Sequence, residues 1–152
     1  MPRTLVTGMS GVGKSTLLAE LARRGHRTID TDYDGWTLPD GLWDPIRIEA
    51  LLSAENDLVI SGTVSNQIDY YDHFEHIVLL SIPLEEIFTR VTQRTNNPYG
   101  KTLEQQSEIR DFVESVEPLL RLRATIELDG LLPTTTLADQ IEGLIRSRPR
   151  ER

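Results

Sequence analysis

Residues 8–15 have the sequence Gly8-Met9-Ser10-Gly11-Val12-Gly13-Lys14-Ser15. The stretch satisfies the pattern G-x-x-x-x-G-K-[ST] in full, and its glycines allow successive backbone N–H groups to face one concavity. The apolar run Leu5-Val6-Thr7 before it predicts a strand, and the apolar spacing over residues 14–24 after it predicts a helix. A loop between a strand and a helix N-terminus can hold the phosphates of a nucleoside triphosphate. The stretch therefore predicts a nucleotide-binding strand–loop–helix unit.

Two side chains of this phosphate-binding loop (the P-loop, residues 8–15) carry its chemistry. Lys14 is expected to reach the β- and γ-phosphates as a catalytic residue, and Ser15 to offer its hydroxyl to Mg²⁺. ATP and Mg²⁺ are therefore the expected cofactors. The residues expected to contact the nucleotide are Gly8, Ser10, Gly11, Val12, Gly13, Lys14, Ser15 and Thr16.

Beyond the P-loop, apolar runs of strand length alternate with helical patterns. The runs at 57–62 and 76–82 are almost continuously apolar and rich in β-branched residues, which is typical of parallel strands covered on both faces. Shorter strands are predicted at 27–29 and 125–129, and helices at 45–54, 84–94, about 103–122 and around Leu137 to Ile145. The alternation predicts a three-layer α/β domain with right-handed crossovers.

Two positions predict interruptions in this pattern. Pro118 lies within the helical stretch 103–122, where an interior proline costs roughly 3 kcal/mol, so we expect a break or kink at Glu117. Segment 33–45 is rich in Gly, Pro, Asp and Trp and is expected to be a loop or short helix, while Asn96-Asn97-Pro98-Tyr99-Gly100 predicts another loop.

Composition limits the class of protein. A chain of 152 residues with 38% hydrophobic and 26% charged residues is the size of one globular domain, residues 1–152, and it contains no Cys for disulfides, thiolate catalysis or cysteine-ligated zinc. The net charge of −8 becomes −11 over residues 1–145, because the tail 146–152 carries +3, and an acidic body repels nucleic acid. The apolar run before Gly8 is too short for a secretion signal or a membrane span. We therefore expect a cytoplasmic monomer or small homo-oligomer that binds neither nucleic acid nor membrane, with a frayed basic tail.

Acidic residues follow the second predicted strand in the sequence Ile29-Asp30-Thr31-Asp32-Tyr33-Asp34. Open α/β sheets bind ligands at the carboxyl ends of their strands. On an extended chain Asp30 and Asp32 point to the same side. Beside a metal-bound triphosphate, one carboxylate can help to hold Mg²⁺ while the other accepts a proton from an attacking hydroxyl. The alternative is a solvated acidic turn.

Nearly the whole chain resembles the small P-loop kinases of the nucleoside-monophosphate-kinase superfamily, most closely shikimate kinase. The resemblance rests on the P-loop, Asp30-Thr31-Asp32, Arg47-Ile48-Glu49, Pro83-Leu84-Glu85-Glu86 with Arg90, and Glu117-Pro118-Leu119-Leu120-Arg121. It implies a three-layer P-loop kinase fold with a five-stranded parallel sheet, a lid at about 95–103, and transfer of the γ-phosphoryl group of ATP to a small acceptor. It departs from the family at Ser61-Gly62-Thr63-Val64-Ser65-Asn66, where a glycine-rich triplet is expected.

The resemblance also implies roles for individual side chains. Asp30, with Ser15, would serve the metal, and Asp32 would take the proton of the acceptor hydroxyl. Arg90 and Arg94 lie four residues apart on the helix that enters the lid, with Arg90 at the nucleotide and Arg94 as a catalytic phosphate clamp; two solvated surface arginines are the alternative. The acceptor would lie in the segment of about 31–75, against Asp32, Asp34, Arg47, Gly62 and Thr63.

Charge favours a particular class of acceptor. Between Asp30 and Leu80 there are eleven acidic residues and one basic residue, Arg47. Anions are usually recognised by convergent arginine or lysine groups. We therefore expect a neutral or cationic alcohol, held by Asp32, Asp34 and the segment Ser61 to Asn66. Some of Tyr33, Trp36, Trp43, Tyr70 and Tyr71 must belong to the core, and the others are expected to form an aromatic wall for the acceptor.

Three other functions remain open. Arg47 with a lid arginine could hold an anionic acceptor, as in a shikimate or nucleoside-monophosphate kinase. A regulatory ATPase or switch is disfavoured because the second strand is not followed by D-x-x-G and no Asp-Glu hydrolytic pair is visible. A fold that binds nucleotide without catalysis is disfavoured by the intact Lys14, Ser15 and Asp32.

Overall fold

The computed structural model describes residues 3–9, 11–95 and 98–146. The strands of these residues are β1 Arg3–Thr7, β2 Thr28–Asp30, β3 Leu58–Ser61, β4 His76–Ser81 and β5 Ile126–Asp129. They form one five-stranded sheet in the order β2-β3-β1-β4-β5, and all four pairings are parallel. The predicted five-stranded parallel sheet is confirmed. Ser10 and most of the basic tail, which carried expectations from the sequence, lie outside the described residues.

The helices of the described residues are α1 Lys14–Arg23, α2 Pro45–Ala54, α3 Leu84–Gln93, α4 Leu103–Ser115, α5 Glu117–Arg123 and α6 Thr134–Arg146, with a 3₁₀ helix at Ser65–His73. The expected break is confirmed: α4 ends at Ser115, and Pro118 lies in the first turn of α5, where no intrahelical N–H is needed. Within the described part of the chain, no helix is both long and apolar enough to cross a bilayer.

The sheet separates two cores, because successive side chains on a strand point to opposite faces. Val6 and Val78 belong to the first core, which is covered by α1, α3, α4 and α6. Leu5 pairs in register with Ile60 and Ile77, and these three belong to the second core under α2 and the 3₁₀ helix. Two covered faces leave the carboxyl ends of the strands as the open edge of the sheet.

The second core corrects the expected aromatic wall. Trp43, Tyr70 and Tyr71 are buried in it, so these three are the members of the set that belong to the core and not to a binding wall. The indole N–H of Trp43 donates to Thr31 Oγ1 at 2.9 Å, which satisfies its polar atom inside the protein. Of the two other residues of the expected wall, Tyr33 is 51% exposed and Trp36 is partly buried.

Candidate nucleotide-binding and phosphotransfer site

The P-loop connects the end of β1 to the start of α1. Gly8 and Gly11 have φ of 148° and 92°, conformations that side chains rarely adopt. A Cβ on Gly8 would lie 2.3 Å from the carbonyl oxygen of Leu80, and one on Gly11 would lie 2.8 Å from the Val91 side chain. The loop therefore needs glycine at both positions, for backbone conformation and for close approach to β4 and α3.

The P-loop opens into a cleft of about 380 Å³. The cleft is lined by Gly11, Val12, Gly13, Lys14, Ser15, Thr16, Asp32, Tyr33, Arg90, Arg94, Gly130, Leu132, Thr134 and Leu137. It brings the expected nucleotide-binding residues from Gly11 to Thr16 together with the expected base and both arginines, whereas Gly8 does not line it and Ser10 lies outside the described residues. The last four lining residues, which follow β5, were not among the sequence candidates. The rule that ligands bind at strand ends could have found them, because β5 ends at Asp129.

Lys14 is a buried cation within this cleft. Its Nζ donates to the carbonyl oxygen of Gly8 and, at 3.2 Å, to that of Met9. Burial lowers the pKa of Lys14 to about 8, although the charges of Asp32 and Asp30 act to raise it. An arriving phosphate would act in the same direction as these carboxylates and favour the ammonium form. A phosphate bound in the cleft would compete with these two carbonyl oxygens for the amine.

Ser15, Asp30 and Asp32 form a polar cluster beside Lys14. Ser15 Oγ donates to Asp30 Oδ2 at 2.5 Å, and the Asp32 N–H donates to Asp30 Oδ1 at 3.2 Å. The chain turns after Asp30, where the Tyr33 N–H donates to the Asp30 carbonyl at 3.2 Å, so the expectation that both carboxylates lie on extended chain was wrong. Both carboxylates nevertheless act on the pKa of Lys14.

The environment of Asp32 shifts its proton affinity. Loss of hydration inside the cleft raises the pKa of Asp32 above its ordinary value, Lys14 lowers it, and Asp30 raises it further. A carboxylate with a raised pKa is a better proton acceptor than an ordinary aspartate, because the ideal base has a pKa near the operating pH. Asp32 is therefore chemically suited to general-base work.

The oxygen atoms of Ser15 and Asp30 fit Mg²⁺. Magnesium prefers hard oxygen ligands and usually keeps several waters, taking only one or two protein oxygens alongside substrate phosphates. Among the described residues, no group of three or more His, Cys, Asp or Glu side chains could hold a metal by itself. The cleft therefore suits a magnesium ion that arrives with nucleotide phosphates.

Arg90 and Arg94 reach the cleft from α3 and the residue after it. Arg90 donates to the carbonyl oxygens of Val12 at 3.2 Å and Gly130 at 3.0 Å, so it links the P-loop to the loop after β5. Arg94 donates to the Tyr99 carbonyl oxygen at 2.8 Å. Burial lowers the pKa of Arg94, but a guanidinium remains charged in proteins.

The lid predicted at 95–103 is only partly described, because Asn96 and Asn97 lie outside the described residues. In the rest of it, the Gly100 N–H donates to Gln105 Oε1 at 2.9 Å, and Gln106 Nε2 donates to the Gly100 carbonyl oxygen at 3.1 Å. The start of α4 thus fastens the end of this segment. Its motion over a nucleotide remains a prediction.

The other expected acceptor residues lie outside the lining of the cleft. Arg47 donates at 2.7 Å to the carbonyl oxygens of Asp34 and Gly35, and its guanidinium lies 4.1 Å from the Trp36 ring centroid. Gly62 packs beneath Trp43, where a Cβ would lie 3.1 Å from the indole ring. Thr63 is hydrogen-bonded to the P-loop. The acceptor roles of Asp34, Arg47, Gly62 and Thr63 remain predictions.

Comparison with solved structures gives the fold a name. The shikimate kinase from Acinetobacter baumannii in complex with shikimate superposes with a TM-score of 0.74, over 95% of this chain and 93% of that one, at 21% identity. The chain has the P-loop kinase fold. A gluconokinase from Sinorhizobium meliloti 1021 shares this P-loop kinase fold, with a TM-score of 0.63 and 18% identity, over 95% of this chain and 91% of that one.

A deoxyadenosine kinase from M. mycoides with bound dATP also has the P-loop kinase fold. It superposes with a TM-score of 0.63 and 14% identity, over 97% of this chain and all of that one. No protein-family model and no curated protein sequence matches this chain. The fold expected from the resemblance is therefore confirmed by structural superposition. The three superposed proteins are named as kinases of different small molecules.

Proposed function

We propose that this chain is an ATP-dependent kinase that transfers the γ-phosphoryl group to a hydroxyl group of a small-molecule acceptor. The observation that carries the proposal is the convergence of Lys14, Ser15, Asp32 and Arg94 on one cleft, with Asp30 bonded to Ser15. This set supplies a phosphate cradle, a magnesium site, a base and a clamp. These are the components that phosphoryl transfer requires.

Each residue has a defined step in the proposed reaction. Asp32 accepts the proton of the acceptor hydroxyl, whose oxygen forms a bond to Pγ as the bond from Pγ to the β-phosphate oxygen breaks and ADP leaves. Lys14 and Arg94 compensate the negative charge on the transferred group. Ser15 and Asp30 would hold Mg²⁺, which would supply charge neutralisation at the phosphates.

The acceptor is proposed to be neutral or cationic, because Arg47 and Arg121, the two arginines that the family resemblance offers to an anionic acceptor, already have partners. Arg47 is occupied by two backbone carbonyls and by Trp36. Arg121, which corresponds to the arginine of the Pro-Leu-Tyr-Arg segment of shikimate kinases, pairs with Glu117 at 2.9 Å and with Glu127 at 2.7 Å. A carboxylate on the acceptor would have to compete with these partners.

A second candidate is an anionic acceptor. It is favoured by the superposition on a shikimate kinase in complex with shikimate, at a TM-score of 0.74. It would use Arg47 together with a lid arginine, Arg94, and it requires Arg47 to leave its two carbonyl partners and the Trp36 ring when the acceptor binds.

A phosphoryl-transfer screen tests both candidates. Purified protein with ATP and Mg²⁺ is assayed for ADP release against matched alcohols that are neutral, aminated or carboxylated, with Asp32→Asn as the control for background hydrolysis. We expect turnover well above the acceptor-free rate with a neutral or aminated alcohol. Preference for a carboxylated or phosphorylated alcohol would overturn the charge argument, and ADP release that no alcohol accelerates would overturn the kinase proposal.

A further inference from the structure

A buried chain of hydrogen bonds lies behind the P-loop and ends at the carbonyl oxygen of Gly8. Gln67, only 2% exposed, donates from Nε2 to Tyr71 OH at 2.9 Å and to Thr7 Oγ1 at 3.1 Å. Thr7 Oγ1 lies 3.2 Å from Thr63 Oγ1, and Thr63 Oγ1 donates to the Gly8 carbonyl oxygen at 2.6 Å. The Gly8 N–H donates back to Thr63 Oγ1 at 3.2 Å.

The donor and acceptor roles along this series of hydrogen bonds follow from the groups at its two ends. The Gly8 carbonyl oxygen can only accept, so the Thr63 hydroxyl must donate to it and therefore accepts from Thr7. Gln67 Nε2 can only donate, so Thr7 accepts from Gln67 and is free to donate to Thr63. In this arrangement the Thr7 and Thr63 hydroxyls each accept one hydrogen bond and donate another, so the Thr63 hydroxyl hydrogen points at the Gly8 carbonyl oxygen.

The same carbonyl oxygen of Gly8 also accepts from Lys14 Nζ. If Lys14 turns toward nucleotide phosphates, the Gly8 carbonyl oxygen loses that partner inside a buried part of the protein. A buried carbonyl without a hydrogen bond is costly, and this cost would oppose nucleotide binding. Thr63 is placed to keep the carbonyl oxygen bonded after Lys14 has left it.

We propose that Thr63 is a positioning residue that keeps the Gly8 carbonyl hydrogen-bonded and so frees Lys14 to move to the nucleotide phosphates. The proposal rests on the nucleotide-binding part of the proposed function. It gives Thr63 a role on the nucleotide side of the cleft, whereas the sequence resemblance placed this residue against the acceptor. Gln67 lies in the 3₁₀ helix, so this helix of the acceptor segment is linked by hydrogen bonds through Thr7 and Thr63 to Gly8 of the P-loop.

The decisive experiment measures ATP affinity by calorimetry without any acceptor. Thr63→Val removes the donor while keeping the shape, and Thr63→Ser keeps the hydroxyl. We expect Thr63→Val to bind ATP about tenfold more weakly, and Thr63→Ser to stay within about twofold of the wild type, because one hydrogen bond to a buried carbonyl differs between the free and bound states.

A double-mutant cycle with Lys14→Ala separates this role from a structural one. Without Lys14, the Gly8 carbonyl has the same partners before and after ATP binds, so Thr63→Val should leave affinity unchanged in that background. An equal loss of affinity in both backgrounds would show a general effect on the loop and would overturn the proposal.

Thr125 provides a matched control. Its hydroxyl accepts from the Ile77 N–H at 2.9 Å and donates to the Ile77 carbonyl oxygen at 3.1 Å, the same double contact that Thr63 makes with Gly8, but at the start of β4. Thr125→Val should lower the thermal unfolding midpoint without changing ATP affinity. Wild-type affinity in Thr63→Val with a raised acceptor KM would overturn this inference alone, whereas a wild-type protein that binds no ATP would overturn the proposed function as well.

Discussion

The nucleotide side and the acceptor side of the cleft differ in how their side chains are held. Lys14 and Ser15 are neighbours at the start of α1 and follow directly on the last glycine of the P-loop, so local chain geometry places them side by side. On the acceptor side, Arg47 reaches back 13 residues to Asp34, and Asn66 reaches back 23 residues to Trp43. Local geometry therefore places the phosphate-binding side chains, whereas the acceptor-side residues depend on contacts between separate segments of the chain. Substitutions on the nucleotide side should therefore change kcat or ATP affinity, whereas substitutions on the acceptor side should change the acceptor KM.

Asp32 lies where the two sides meet, and its replacement should produce the largest effect. Asp32→Asn removes the proton acceptor but keeps the size of the side chain, so we expect kcat to fall by about 10² to 10⁴ while ATP affinity is retained. Initial rates with a competent acceptor and ATP binding by calorimetry measure the two quantities. A mutant that loses ATP binding and keeps its turnover would show that the roles of Asp30 and Asp32 are exchanged.

Lys14→Ala tests the nucleotide side alone. Loss of one positioned charge on the transferred phosphoryl group should lower kcat by about 10² to 10³. The Gly8 carbonyl keeps Thr63 as a partner in this variant, so the thermal unfolding midpoint should change little. Product formation and a thermal melt are measured on the same preparation. A folded Lys14→Ala protein with wild-type turnover would contradict the assignment of the cleft as a phosphotransfer site.

The contrast between the two sides also explains which features could be predicted from sequence. The P-loop, the start of α2 at Pro45 and the break before Pro118 depend on local backbone chemistry, and the structure confirms all three in the described residues. The burial of Trp43 beneath α2 and the contacts of Arg47 depend on segments that meet only in the folded chain. The sequence placed Trp43 among five clustered aromatic residues, but residue type alone could not distinguish a core indole from one in a binding wall.

The low pKa of Lys14 predicts a pH dependence on the nucleotide side. Burial lowers the pKa of Lys14 to about 8 in the free protein, and phosphate binding requires the ammonium form. The protonated fraction therefore falls as pH rises through 8, and ATP should bind about fivefold more weakly at pH 9 than at pH 8, with little change below pH 7. Titrations at several pH values measure this. The same slope in Lys14→Ala would assign the titration to another group.

Arg47→Ala should change the kinetics less than the other variants, and its effect should be confined to binding of the acceptor. Its contacts with Asp34, Gly35 and Trp36 brace the loop after β2, so Arg47→Ala should loosen that loop and raise the acceptor KM by about threefold, the value of an exposed hydrogen bond or two. ATP affinity should stay at the wild-type value, because Arg47 does not line the nucleotide cleft.

The comparison of acceptors decides what that threefold change means. If Arg47 only braces the loop, neutral, aminated and carboxylated alcohols should all lose affinity by the same factor in Arg47→Ala. If Arg47 binds an anionic acceptor, the carboxylated alcohol alone should lose a charge-assisted pair, which is worth about tenfold or more. KM values for matched alcohols in the wild type and the variant distinguish the two. We expect equal factors, because the guanidinium already donates to two carbonyl oxygens and stacks on an indole.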